Sequence, residues 1–168
     1  MKITKSQLKQ IIKEELEAIQ EETPEQLVGK LEIEAEKMGR FGPGAHKTLL
    51  NVKKLLDETR IMAQEKGWPS SPVTQNSINN IITSIDELNA LDENGLLTQL
   101  ETLPRGDARN RLRGKLRKFW FEPQTITYEG RTFEDVERNR VIQLWIKAAI
   151  KWINRSIPSS QLKQTFEL

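Results

Sequence analysis

Cysteine is missing from this sequence altogether, and histidine occurs once, at His46. Without thiols there is no disulfide framework, no thiol nucleophile and no thiolate zinc site. With one histidine, histidine-based metal sites and paired histidine shuttles are excluded, and a Ser-His-Asp arrangement would have to use His46 itself. Long apolar runs are lacking too. None approaches the roughly 18 residues of a membrane span, and Lys9 and Lys13 stand where a signal peptide carries its apolar stretch. These absences point to a cytoplasmic protein, compatible with a reducing compartment, with no metal, no cofactor and no membrane partner.

What is present is a globular composition, with 36% hydrophobic and 30% charged residues, seven Pro and nine Gly. A chain of 168 residues can bury most of one core and is short for two full domains, so one main domain with appendages is expected. The net charge of +2 conceals an asymmetry: residues 14–36 hold nine Glu against Lys30, and residues 105–118 hold seven Lys or Arg against Asp107. Segments of opposite sign either attract each other within the fold or each attract an outside partner.

Helical signals run along most of the chain. Thr4 and Gln7 form a capping box ahead of Leu8, Ile11, Ile12, Leu16 and Ile19, which predicts a helix from about Lys5 to Gln20. Lys5 and Lys9 sit near its positive end and Glu14, Glu15 and Glu17 near its negative end, against the macrodipole, so this helix is marginal unless its apolar stripe docks on something. Thr23, Pro24 and Gln26 open a second helix through Leu27, Leu31, Ala35 and Met38, stopping at Gly39. After the turn Phe41-Gly42-Pro43-Gly44, Leu49, Val52, Leu56 and Met62 mark a third helix that ends at Gly67. A fourth carries Ile78, Ile81, Ile82, Ile85, Leu88 and Leu91 and ends at Asn94-Gly95; Leu96 to Leu103 makes a short helical turn.

Asp107 is then expected to cap a basic helix ending in Phe119-Trp120-Phe121. Past Pro123 the period changes from 3.6 to 2, which predicts a β-hairpin over residues 125–133 turning at Glu129-Gly130. Thr132 and Asp135 suggest the start of a last long helix, apolar on more than one side and therefore central to a bundle, with Trp145 and Trp152 in the core. A polar tail follows Pro158 and ends in Phe166-Glu167-Leu168.

Catalytic motifs are scarce. His46 reads as a helix-start residue without a special role. Gly42-Pro43-Gly44-Ala45-His46-Lys47-Thr48 has glycines ahead of Lys-Thr, but a phosphate loop needs Gly immediately before Lys and a strand in front, so a helix-helix turn explains it better. Glu14, Glu15, Glu17, Glu32, Glu34 and Glu36 read as a solvated face, without the apolar surroundings that raise a carboxyl pKa for acid catalysis. On the basic helix, spacing of 100° per residue places Ala108, Leu112, Leu116 and Phe119 on one stripe, Arg109, Arg113 and Arg117 on one flank, and Arg111, Lys115 and Lys118 on the other. Asn110 and Gly114 lie opposite the stripe, leaving a small crest that a backbone can approach. Five arginines in this segment suit phosphate oxygens, and Trp120, if exposed, adds a stacking surface. Pairing with the acidic second helix and a merely solvated basic face are the competing readings.

Met1-Lys2-Ile3-Thr4-Lys5-Ser6-Gln7-Leu8-Lys9-Gln10-Ile11-Ile12-Lys13-Glu14-Glu15-Leu16 resembles an N-terminal segment found on many otherwise dissimilar small proteins of large tailed phages, especially marine ones. The resemblance covers about a tenth of the chain and implies a phage-encoded protein whose first helix acts as an address tag. In phages similar to the T-even group such tags direct proteins into the prohead and are cut after Leu or Ile, any residue, Glu; Ile12-Lys13-Glu14 and Ile19-Gln20-Glu21 fit that pattern.

The expected fold is all-α: a helical bundle over residues 23–168 with one small β-hairpin, preceded by a peripheral docking helix over residues 1–22. The expected function is that of a non-enzymatic interaction or virion-associated protein of the host cytoplasm or the virion. It docks through Leu8, Ile12, Leu16 and Ile19 onto another protein or a second copy. The alternative is a nucleic-acid-binding helical protein using Arg109, Arg111, Arg113, Lys115, Arg117 and Lys118.

Overall fold

Threonine opens the first two helices. Gln7 N–H donates to Thr4 Oγ1 and Thr4 N–H to Gln7 Oε1, both at 3.1 Å, ahead of α1 (Lys5–Ile19). The same reciprocal pair joins Thr23 and Gln26, at 3.2 and 3.0 Å, ahead of α2 (Pro24–Lys37). The computed structural model describes residues 3–19, 22–90 and 96–157; the side chains of residues 14–19, 96, 98 and 101 lie outside that description. Further along come α3 (Ala45–Glu65), α4 (Pro72–Ala90), a 3-10 turn (Leu96–Thr102), α5 (Asp107–Phe121), β1 (Pro123–Tyr128), β2 (Arg131–Glu137) and α6 (Arg138–Ser156). Leu91, the stop at Asn94-Gly95 and the tail Phe166-Glu167-Leu168 fall outside the described residues.

The chain is an all-α bundle with one two-stranded antiparallel hairpin. As its two-sided apolar pattern predicts, α6 is central: it packs on α2, α3, α4, α5 and the hairpin. Ile142, Trp145, Ile146, Ala149, Trp152 and Ile153 are buried along it. Its polar residues serve α2. Asn139 Nδ2 donates to the Met38 carbonyl at 3.1 Å and Gln143 Nε2 to the Ala35 carbonyl at 2.7 Å, satisfying acceptors that the end of a helix leaves unpaired. Gly39 allows this approach, since a Cβ there would stand 3.2 Å from Gln143 Nε2.

The hairpin extends beyond residues 125–133 at both ends, pairing Pro123 with Glu137 and Tyr128 with Arg131. Glu129 and Gly130 both take positive φ, 51° and 78°, the mirror-image turn whose twist matches a two-residue hairpin. Thr132 and Asp135 do not start the last helix. Thr132 pairs with Thr127, and Asp135 takes φ 58° where the register slips between Gln124 and Ile126, so β2 carries an extra residue as a bulge. The helix begins instead at Arg138, which staples the base of the hairpin. Its N–H donates to the Glu122 carbonyl at 3.0 Å, its Nη1 to the Phe119 carbonyl at 3.1 Å, and its guanidinium pairs with Glu122 and lies over the Phe119 ring.

Asp107 is the first residue of α5 rather than its cap. Gly106 holds the cap position without a side-chain bond, while the carboxylate still sits in the first turn, where the macrodipole favours it. No helix among the described residues is long and apolar enough to cross a membrane.

Candidate functional site

On α5 the apolar stripe turns inward as the spacing predicts: Leu112, Leu116 and Phe119 are buried, whereas Ala108 at its start is exposed. Trp120, 1% exposed, belongs to the core and meets Phe41 edge-on at 5.8 Å, so it offers no stacking surface. The cations point outward. Arg111, Arg113, Lys115, Arg117 and Lys118 are exposed and Arg109 is half-buried. None of the six side chains forms an ion pair or hydrogen bond among the described residues. Between the flanks Asn110 is exposed, and a Cβ on Gly114 would meet nothing within 4 Å, leaving the crest open.

The acidic second helix does not neutralise this face. Its ion pairs are local, Lys30 with Glu22 at 2.7 Å and Lys37 with Glu34 at 3.4 Å, and among the described residues no ion pair joins α2 to α5. Glu32 and Glu36 are exposed as expected, but Glu34 is not solvated: it is 6% exposed on the side of α2 that faces α3. There Asn51 Nδ2 reaches its Oε1 at 3.4 Å. The side chains of Glu14, Glu15 and Glu17 are outside the described set.

Glu22, ahead of α2, meets Glu58 on α3, a pairing that residues 36 apart in sequence do not announce. Burial pushes the Glu58 carboxyl above its ordinary 4.5, and the hydrogen bond and negative charge of Glu22 add to this, against Lys54 and Lys30. Burial also raises Glu22, but the hydrogen bonds from Glu58 and Lys30, with the charges of Lys30 and Lys54, bring it below 4.5. At pH values between the two titrations the pair therefore shares one proton, held on Glu58. Because Glu58 titrates above its unfolded value, its contribution to stability is complete below 4.5 and is lost as pH rises through the raised value. The contribution of Glu22 runs the other way, present above 4.5 and lost as pH falls. Glu58→Gln keeps a donor for Glu22 and removes the titration. The variant should match the native protein below pH 4.5 and, once the pH has risen through the raised Glu58 value, exceed it by about 1 kcal/mol, one hydrogen bond's worth, in denaturant melts across a range of pH. A variant whose stability relative to native does not rise with pH would show that no proton is shared.

The N-terminal helix is peripheral. Residues 3–13 are exposed throughout, including Ile3 at 62%, Leu8 at 51%, Ile11 at 42% and Ile12 at 48%, and among the described residues α1 has no extensive contact with another element. Among the described residues Leu8 and Ile12 thus have no extensive packing on the body of their own chain; the side chains of Leu16 and Ile19, and residues Gln20 and Glu21 of the second cleavage pattern, lie outside the described set.

His46 lies in the first turn of α3, 6% exposed, its Nε2 2.8 Å from Asn89 Oδ1. Among the described residues no group of three or more His, Cys, Asp or Glu could hold a metal ion. No protein-family model matches the chain, and no curated protein or solved structure matches it either.

Proposed function

We propose that the protein acts by binding rather than by catalysis, as a phage-encoded, virion-associated interaction protein whose N-terminal helix is its docking element. The observation that carries this reading is the exposure of Leu8, Ile11 and Ile12 on a regular helix, with Ile3 exposed just ahead of it, beside a core formed without them. An isolated helix of this length is marginal in water, and burial of its stripe on a partner supplies what it lacks. A second copy suits its charge order. In an antiparallel pair, Lys5, Lys9 and Lys13 of one helix oppose Glu14, Glu15 and Glu17 of the other, and the two macrodipoles cancel.

Sedimentation of the full chain should show concentration-dependent dimers, lost when Lys5, Lys9 and Lys13 are changed to Glu. Deleting residues 1–22 should leave a monomer that still melts cooperatively. A deletion that abolishes cooperative melting would make α1 part of the domain and end the docking reading; a monomeric full chain would redirect the helix to a different protein.

The second reading, nucleic-acid binding through α5, rests on a separate observation: six cations on two flanks of one helix, none of them paired within the described protein. Arginine flanks around an open crest have the charge and the forked donors that backbone phosphates accept.

A further inference from the structure

The turn Phe41-Gly42-Pro43-Gly44 and the first turn of α3 face α5 and the 3-10 turn across a groove of about 520 Å³. Leu50, Leu97, Leu100 and Leu116 supply its apolar wall, and the charged side chains in its lining are Lys47, Arg109 and Arg113. Among the described residues no carboxylate lines it, and none of these three cations has an ion pair. A concave apolar surface with uncompensated cations on one side is the chemistry of a site for an anion with an apolar body.

The backbone adds donors to the cations. Gly44, at φ 83°, precedes α3 without a side-chain cap. The Ala45 N–H turns back to the Gly42 carbonyl at 3.2 Å, and the next two N–H groups, of His46 and Lys47, meet no acceptor among the described residues. His46, only 6% exposed, also lines the groove. Its Nε2 is engaged by Asn89 at 2.8 Å. The Gly-Lys spacing that rules out a phosphate loop is irrelevant to this arrangement, because the arginines come from α5 and not from the turn.

We propose that this groove binds a small phosphate monoester. The phosphoryl group sits at the start of α3 between Arg109 and Arg113, and the apolar or aromatic body rests on the leucines. A dianion suits the paired guanidinium forks and the helix N-terminus together. The site is separate from the outer flank of α5, since Arg111, Lys115 and Lys118 do not line the groove.

Titration calorimetry on the full chain tests this with adenosine 5′-monophosphate, n-octyl phosphate, inorganic phosphate and n-octanol. At least one of the two monoesters should bind about tenfold or more tighter than inorganic phosphate, as two binding parts joined in one molecule do, and octanol more weakly than either monoester. The tighter of the two names the source, a nucleotide or a lipid-derived alkyl phosphate. Replacing Arg109 and Arg113 with Ala should weaken the monoester about tenfold or more, with the melt confirming a folded chain; Arg113→Gln, at an exposed position, serves if the double variant is unstable. Arg111→Glu with Lys115→Glu should leave monoester binding unchanged even where it removes oligonucleotide binding. Monoesters no tighter than inorganic phosphate, or binding indifferent to Arg109 and Arg113, overturn the proposal.

Discussion

Arg111→Glu combined with Lys115→Glu is expected to weaken binding of DNA or RNA by roughly two orders of magnitude at low salt, while the melting temperature stays near the native value. Both residues are exposed, one turn apart on the flank of α5 away from the groove, and neither is tied to a carboxylate among the described residues. Their removal therefore breaks nothing inside the fold. Each phosphate contact releases counterion and contributes about −0.7 to −0.9 to the slope of log affinity against log salt, so losing two contacts should flatten that slope by nearly 2. Charge reversal adds repulsion to the loss. Fluorescence anisotropy with labelled single-stranded and duplex oligonucleotides at several salt concentrations measures both quantities. A native protein that binds neither at low salt removes the nucleic-acid reading; a variant that binds as well as native removes α5 as its surface.

The largest loss of stability is expected from Trp152→Ala. Trp152 is 3% exposed, donates its Nε1 hydrogen to the Pro69 carbonyl at 2.9 Å and meets Trp68 edge-on at 6.1 Å, tying α6 to the connection between α3 and α4. Truncation leaves a cavity, an unpaired carbonyl and a lost ring contact, at a cost of about 3–5 kcal/mol out of a total stability on the order of 5–15 kcal/mol. In a chain of this length that lowers the melting temperature by roughly 10 °C or more. Trp120 and Trp152, two of the three buried tryptophans, should differ when the change is gentler. Trp120 Nε1 is buried with no partner among the described residues, so Trp120→Phe removes a donor that was already unsatisfied, whereas Trp152→Phe strands the Pro69 carbonyl. Chemical denaturation should show the Trp152 substitution as the costlier of the two, and the reverse order would contradict the hydrogen-bond account.

Local sequence determined most of the elements. Capping boxes at Thr4 and Thr23, the apolar periods of the helices and the Glu129-Gly130 turn act over a few residues, and each appears where its chemistry demands. The inward stripe of α5 and the central place of α6 followed from periodicity as well, since a helix apolar on two sides has to be surrounded. Tertiary structure alone decided matters that depend on which residues meet. The bulge at Asp135 and the grip of Arg138 on Glu122 moved the start of the last helix, because strand pairing outweighs a capping signal. Burial took Trp120 out of reach of any ligand, and it placed Glu34, which composition assigns to solvent, against α3. The Glu22–Glu58 pair and the groove that joins Lys47 to Arg109 and Arg113 bring together residues tens of positions apart. No periodicity encodes such meetings; they come from the packing angles of whole helices, set by the summed fit of the core and not by any short stretch of chain.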